Sequence, residues 1–289
     1  MIEEIYVHRL GALGDIIMTL PCLGQLKSRC KKLIYYTSSG TRNNLENLLL
    51  NFVDEVKIVE DEQAPWGHEN FINFLGYKKP YPLARENHFT QDFCEEAHVN
   101  FTLEIPEIIL PNSPFEESED INITVQQSAG WSIYKEYNKW NEVIALAKKT
   151  NSKYKFFQIG GPNDVPLENL DGSFLGKTFE DNLAAQANAS LHLGVDSVFN
   201  HTSNLNWKNK GKVKSIIIFS STSPLTSGYK HNTNLKSNLK CQPCYRENEE
   251  CGDLSLAPIT PCPFTKEKIA PCVDKISPNL IFENIKLYT

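Results

Sequence analysis

The fold is decided by the segment Tyr6-Val-His-Arg-Leu-Gly-Ala-Leu-Gly-Asp15-Ile-Ile-Met-Thr-Leu-Pro21. An apolar run over residues 5–10 predicts a strand that stops at Gly11, and a tight turn follows before a helical pattern begins. Glycine permits positive φ and close backbone approach in such a turn. Because open α/β sheets bind ligands at the carboxyl ends of their strands, the segment predicts a ligand site at this turn.

Asp15, at the end of the turn, has two interpretations from the sequence. Its carboxylate can cap the helix by accepting backbone N–H groups, or it can serve as a chemical group of a site. The segment is not a phosphate-binding P-loop, because no Lys-Ser or Lys-Thr pair follows the glycines.

Strand and helix patterns alternate through both halves of the chain, which indicates α/β domains with parallel sheets. Residues 111–120 are polar and acidic and contain proline, as is typical of a linker. We predict two Rossmann-like, doubly wound domains, residues 1–117 and 118–289, and expect the last helix to pack back on the first domain. Residues 61–114 are predicted to form short helices and loops that face an acceptor.

The predicted strands are residues 4–10, 32–37, 55–59, 121–126, 155–159, 191–195 and 215–219. The predicted helices are residues 16–29, 43–50, 141–149, 179–189 and 278–287, with one more directly after Asp196.

The composition is that of a soluble globular protein, with 289 residues of which 40% are hydrophobic and 22% charged. A net charge of −6 argues against broad attraction to nucleic acid or to anionic membranes. No apolar run is long enough to span a membrane, and no signal peptide pattern is present, so we expect a cytoplasmic location without a transmembrane segment.

The opening pattern Arg9-Leu-x-Ala-Leu-Gly-Asp15-x-x-x-Thr19-Leu-Pro21-x-Leu23 closely resembles that of the lipopolysaccharide heptosyltransferases, glycosyltransferase family nine, which use ADP-heptose. The resemblance implies a GT-B fold, in which two Rossmann-like domains face a cleft that holds the active site. It also implies that Asp15 is the general base and that Gly11 and Gly14 lie in a loop close to the substrates.

Two loops of the second half resemble the family where it holds the donor. A lysine two residues before an aromatic residue implies that Lys135 binds the donor phosphates, and Lys139 lies close enough to be an alternative. Asp164 follows Gly160-Gly-Pro-Asn and resembles the family's Gly-x-Pro-x-Glu, although its side chain is one methylene shorter than glutamate. The same residues would also form an ordinary turn.

The most specific match is a helix opened by Thr178, followed by a buried strand and Asp196-Ser197-Val-Phe-Asn-His201. A helix start offers free N–H groups and the positive end of the dipole to a phosphate, and His201 lies about one turn further, placed to bind the same phosphate with its charge. This chain departs from the family at Val198 and Ser220, where glycine is usual. The donor-binding residues implied by the resemblance are Lys135, Asp164, Thr178, Asp196, Ser197, His201 and Thr222.

Five of the eight cysteines lie near the end of the chain. A Cys-x-x-Cys pair with later cysteines is compatible with a small structural zinc site. The family carries a similar cysteine series and needs no metal for catalysis, which favours a reduced structural cluster. The candidate cluster consists of Cys241, Cys244, Cys251, Cys262 and Cys272.

These observations predict an inverting, metal-independent glycosyltransferase without a required cofactor. It would transfer a sugar, most simply heptose, from a nucleotide-diphosphate donor to a hydroxyl of a lipopolysaccharide or other glycan acceptor. If the acceptor is a glycolipid, we expect the transfer to take place at the inner membrane surface. One alternative is a phage-type enzyme that glycosylates hydroxymethylated DNA bases, which a first domain shorter than is typical of the family and the lysine-rich residues 208–214 would permit. Another is a catalytically silent nucleotide-sugar-binding protein, a reading motivated by Val198 and Ser220.

Overall fold

The computed structural model describes residues 1–75, 87–129, 135–243 and 269–289, and its first half is built around a parallel sheet of four strands. Each strand of this sheet is apolar on the side that the helices cover. The elements are β1 (Ile2–His8), α1 (Leu13–Ile17), α2 (Leu20–Lys27), β2 (Cys30–Thr37), α3 (Ser39–Leu49), β3 (Glu55–Ile58), β4 (Phe71–Asn73) and α4 (Phe89–Glu96).

The strand order in the first sheet is β3-β2-β1-β4. The chain leaves β1 for β2 on one side and returns to β4 on the other, so the order reverses beside β1, and the turn after β1 lies at this switch point. The predicted helix over residues 16–29, which we expect to restart or kink at Pro21, is two helices, α1 and α2. Pro21 stands in the first turn of α2, where its missing N–H costs no hydrogen bond. The α3 helix begins earlier than predicted because the Ser38 side chain caps it.

The second half contains a parallel sheet of six strands, in the order β10-β9-β8-β5-β6-β7. The order reverses between β5 and β8, which are hydrogen-bonded neighbours. The loops after these two strands therefore lie at the second switch point. The elements are β5 (Ile121–Val125), α5 (Trp140–Thr150), β6 (Tyr154–Gln158), β7 (Gly172–Ser173), α6 (Phe179–Asn188), β8 (Leu191–Val195), α7 (Val198–Thr202), β9 (Ser215–Ile218), α8 (Pro224–Ser227), β10 (Thr233–Leu235), α9 (Pro271–Asp274) and α10 (Pro278–Tyr288).

The two halves pack directly on each other. Helix α1 contacts α7, and α3 contacts α6. The hydrophobic core of the first sheet continues into the second half through Leu183, Ala187, Leu205 and Trp207. Burial of this apolar surface fixes the two switch points relative to each other.

Among the described residues, the last helix packs on the core of the second half rather than on the first half, contrary to our expectation. Ile281, Phe282 and Ile285 of α10 belong to the core of the second sheet, where α10 packs against α5. Its apolar residues at i, i+1 and i+4 form one stripe that this core covers. Within the described ranges, no helix has both the length and the apolar character that a membrane span requires.

Candidate active site

Asp15 lies in the first turn of α1, at the switch point of the first sheet. The N-cap of α1 is Ala12, so the interpretation of Asp15 as an N-cap is wrong. Its carboxylate instead forms an ion pair with Arg9, with Nη2 and Oδ2 2.8 Å apart. Gly11 has φ +126°, a value that L side chains rarely adopt, and this allows the turn to close over the ion pair.

The pKa of Asp15 is raised above its ordinary value. Burial is the largest cause, because the surrounding protein removes water from the carboxylate, and the charge of Asp196 adds to it. The attraction of Arg9 and Lys135 lowers the pKa but does not cancel the effect of burial. A carboxylate with a raised pKa is a better proton acceptor near neutral pH than an ordinary aspartate.

Gly14 lies where the turn of the first half packs closely against the second half. A Cβ at this position would lie 2.9 Å from Cδ2 of His201 and 3.6 Å from Cα of Val198. A side chain would therefore force α1 and α7 apart. The glycine before Asp15 thus permits the close approach that brings Asp15 beside the second switch point.

Lys135 and Asp196 form the centre of the second switch point. Lys135 Nζ lies 2.8 Å from Asp196 Oδ2 and 3.1 Å from the Asp196 backbone oxygen. The Thr222 hydroxyl donates to the same carboxylate oxygen, while Asn200 and Ser227 donate to the other oxygen, each at 3.2 Å. The loops after β5, β8 and β9 are thereby held together by one carboxylate.

Asp196 is almost completely buried and remains ionised. Burial alone would raise its pKa, but the charge of Lys135 and the hydrogen bonds from Lys135 and Thr222 outweigh that effect, so the pKa is lowered. A buried charge is tolerated when it is paired and hydrogen-bonded in this way. Asp196 therefore orders Lys135 and the loop that carries Thr222.

The predicted helix start at Ser197 is short, because α7 has only five residues. The Ser197 hydroxyl donates to Gln126 Oε1 at 2.6 Å and accepts from the Phe199 backbone N–H. Val198, which replaces the usual glycine, packs beside both hydrophobic clusters that border α7. Because one of these clusters is the core of the first half, Val198 contributes to packing between the halves.

His201 is placed in the site but does not bring the expected charge. Burial lowers its pKa to about 4, with Lys135 adding to the shift and Asp196 opposing it. Its Nδ1 lies 3.0 Å from the hydroxyl of Tyr229, a buried residue to which no role was assigned from the sequence. A neutral imidazole at pH 7 can still donate or accept a hydrogen bond.

Two other predicted donor-binding residues are engaged in local structure. Asp164 accepts from the Ser128 hydroxyl at 2.5 Å and from the Gly161 backbone at 2.9 Å. Thr178 forms an exposed capping box with Asp181 at the start of α6. Donor binding by Asp164 and Thr178 remains a prediction, and the structure adds a structural role for each.

Lys139, the alternative to Lys135, pairs with Asp274 at 2.7 Å on α9 and does not reach the Asp196 network.

Of the predicted cysteine cluster, the structure describes Cys241 and Cys272, while Cys244, Cys251 and Cys262 lie outside the described residues. In the part of the chain that is described, no three His, Cys, Asp or Glu side chains group as metal ligands.

The fold is also that of solved glycosyltransferase structures. The chain is similar to the iron-containing dodecameric glycosyltransferase TibC of enterotoxigenic E. coli, with TM-score 0.70 and 15% identity, over 99% of this chain and 75% of that one. It is similar to a family 9 glycosyl transferase of Veillonella parvula, with TM-score 0.65 and 16% identity over 99% and 97% of the chains. A third similar structure is E. coli ADP-heptose lps heptosyltransferase II, with TM-score 0.67 and 11% identity over 99% and 98%.

No protein-family model and no curated protein sequence matches the chain. The structural similarity confirms the α/β architecture of two Rossmann-like halves that was predicted from the sequence. At these identities it establishes the fold, and the chemistry has to be argued from the residues of the site.

Proposed function

We propose that this protein is an inverting glycosyltransferase that takes a sugar from a nucleotide-diphosphate donor, most simply ADP-heptose, and transfers it to a hydroxyl group. One observation carries the proposal: α1, which carries Asp15, packs against α7, the helix that directly follows Asp196, and Asp196 pairs with Lys135 at 2.8 Å. A proton acceptor of the first half and a cation of the second half therefore lie at the same junction.

In the proposed reaction, Asp15 takes the proton of the acceptor hydroxyl while the hydroxyl oxygen attacks the anomeric carbon. The bond from that carbon to the diphosphate breaks, and the diphosphate leaves with the electron pair from the opposite face. Lys135 stabilises the charge that develops on the diphosphate. His201 contributes a neutral hydrogen bond, and Asp196 holds Lys135 in place.

The ligands bound in two similar solved structures support this donor. One solved structure of TibC is a complex with ADP-D-beta-D-heptose, and E. coli heptosyltransferase WaaC has been solved with ADP. The position of Asp15 and Lys135 at two sheet switch points supports the same choice, because nucleotides bind at such points in doubly wound folds.

The acceptor that we propose is a glycan or glycolipid. The DNA alternative relied on the lysines of residues 208–214, and two of these lysines already have other partners. Lys210 donates to the Ala189 backbone oxygen at 2.8 Å, and burial lowers its pKa to about 8. Lys212 pairs with Glu104 at 3.0 Å. The segment thus contacts the end of α6 and the chain that follows α4 more than it offers a basic surface.

A panel of nucleotide sugars tests the proposed function. A ligand that binds only the folded state raises the melting temperature, so ADP-heptose is expected to raise it more than UDP-glucose or GDP-mannose. Slow hydrolysis of the same donor, followed as released ADP, would separate an enzyme from a silent binding protein. If no nucleotide sugar shifts the melting temperature and none is turned over, the proposal is wrong.

Turnover is expected to persist in excess EDTA, because Lys135 supplies the positive charge that a metal ion supplies in other transferases. The measurement is ADP release, or sugar transfer once an acceptor is known, before and after chelation. Activity that disappears with EDTA and returns with Mg²⁺ or Mn²⁺, without any change in melting temperature, would contradict metal independence.

Elemental analysis of the same sample would test the cysteine cluster independently, with one zinc per chain as the result that supports a zinc site.

A further inference from the structure

Arg9 is a buried cation at the end of β1, only 3% exposed. Arginine is rarely buried to this extent unless it is paired. Its Nη2 binds Asp15 Oδ2 at 2.8 Å, and its Nη1 donates to the Phe74 backbone oxygen at 3.3 Å. The guanidinium carbon lies 5.6 Å from the centre of the Phe93 ring. The side chain is therefore fixed by α1, by the residue after β4 and by α4.

Arg9 binds one of the two oxygens of the Asp15 carboxylate. Oδ2 receives the Arg9 hydrogen bond, whereas Oδ1 accepts no hydrogen bond from the described part of the chain. The Asp15 side chain is 31% exposed, so a small group can reach it from the junction. A Cβ on Gly11 would lie 3.4 Å from Asp15 Oδ2 and 3.6 Å from Arg9 Nη2. The backbone of Gly11 therefore lies beside Asp15 Oδ2, the carboxylate oxygen that is bonded to Arg9.

We infer that Arg9 is a positioning residue: it holds Asp15 through Oδ2 so that Oδ1 is left to take the proton of the acceptor hydroxyl. The inference rests on the proposed function of Asp15 as the base. The planar guanidinium suits this task because its fixed fork of donors can bind the carboxylate and the Phe74 carbonyl together.

Arg9 also affects how Asp15 gains and then loses a proton during the reaction. Asp15 begins ionised and ends protonated, while the acceptor oxygen gains the anomeric carbon and the diphosphate leaves with the bonding electrons. The guanidinium favours the ionised carboxylate throughout, so after each turnover it promotes loss of the proton to solvent. This restores the base for the next acceptor.

The pH dependence of Asp15 follows from the groups that face it. Arg9 and Lys135 favour its ionised form, Asp196 disfavours it, and His201 of the packed helix α7 is neutral at pH 7. Loss of the Arg9 charge would raise the pKa of Asp15 further. Because the base must be ionised, the acid side of the pH profile of kcat/KM would then move to higher pH.

The first test is Arg9→Met, which keeps contact with Phe93 and removes the charge. Carboxyl-¹³C NMR of aspartate-labelled protein, with the Asp15 signal assigned from Asp15→Asn, should show the Asp15 titration midpoint displaced to higher pH. Turnover of ADP-heptose at pH 7 should fall about ten- to a hundred-fold, since each unit of pKa corresponds to a factor of ten. Arg29→Met is the matched control, because exposed Arg29 bonds only to the His98 backbone oxygen among the partners described and lies outside the site.

A second variant, Arg9→Lys, separates charge from geometry. A lysine preserves the positive charge, so the Asp15 midpoint should stay close to that of the unmodified protein, but it lacks the planar fork, so kcat should still fall. An unshifted midpoint in Arg9→Met, or undiminished kcat in Arg9→Lys, would overturn the role of Arg9. Absence of turnover by the unmodified protein would instead count against the proposed function, and the NMR titration remains readable in that case.

Discussion

Asp15→Asn is expected to reduce turnover by a factor on the order of 10² to 10⁴ while leaving donor affinity nearly unchanged. An amide cannot accept the proton of the acceptor hydroxyl, but its oxygen can still accept the Arg9 hydrogen bond. The fold around the turn should therefore persist. The measurements are kcat for transfer or donor hydrolysis and the affinity for ADP-heptose by calorimetry, both on protein whose melting temperature has been recorded.

Asp54→Asn provides a matched control for this experiment. Asp54 also lies in the first half, also pairs with a cation, Lys27, and its side chain is 35% exposed, close to the 31% of Asp15. The control should keep full turnover, because Asp54 is remote from both switch points. Near-normal turnover in purified Asp15→Asn would remove Asp15 from the mechanism.

Lys135→Ala is expected to weaken donor binding by about ten- to a hundred-fold, the loss of one charge-assisted bond to the diphosphate. It should also lower the melting temperature, because Asp196 would remain buried without its ion-pair partner. Binding is therefore measured by calorimetry well below the melting transition of the variant. Asp15→Asn should leave the same binding constant almost unaltered, which would separate the donor side of the site from the base.

Lys139→Ala is the control for Lys135→Ala, since Lys139 lies four residues further and pairs with Asp274 on the surface. Its donor affinity should match that of the unmodified protein. If Lys139→Ala weakens donor binding as much as Lys135→Ala, the assignment of the phosphate to Lys135 is wrong. Lys135→Arg should recover part of the affinity, because the positive charge is kept.

Most of the regular structure was predictable because it depends on local sequence patterns. Strand β8 has the predicted bounds, and β5, β6 and β9 differ by a residue or two at their ends. The apolar runs of β8 and β9 are buried on both faces, which is a strong signal in a parallel sheet. The short strands β4, β7 and β10 were not predicted, because two or three residues carry no periodic pattern and are ordered by a neighbouring strand.

The order of these residues along the sequence also predicted which of them would lie at the ends of strands. The glycine turn with Asp15 follows β1 of the first sheet, and the lysine after β5 and the Asp-Ser pair after β8 follow neighbouring strands of the second sheet, whose carboxyl ends share one edge. Arg9 could have been noticed, since a charged residue at the end of an apolar strand is seldom left unpaired. Tyr229 carried no comparable signal, because aromatic residues are common in cores.

The sequence by itself determined two α/β halves, the glycine turn and the residues that reach the two switch points, because strand and helix periodicity and turn chemistry are local. Only the tertiary structure decided how those residues behave. It made His201 neutral, paired Lys135 with Asp196 and packed the last helix on the second half. Desolvation, ion pairing and helix docking depend on groups far apart in the chain, and their balance is set when the two halves come together.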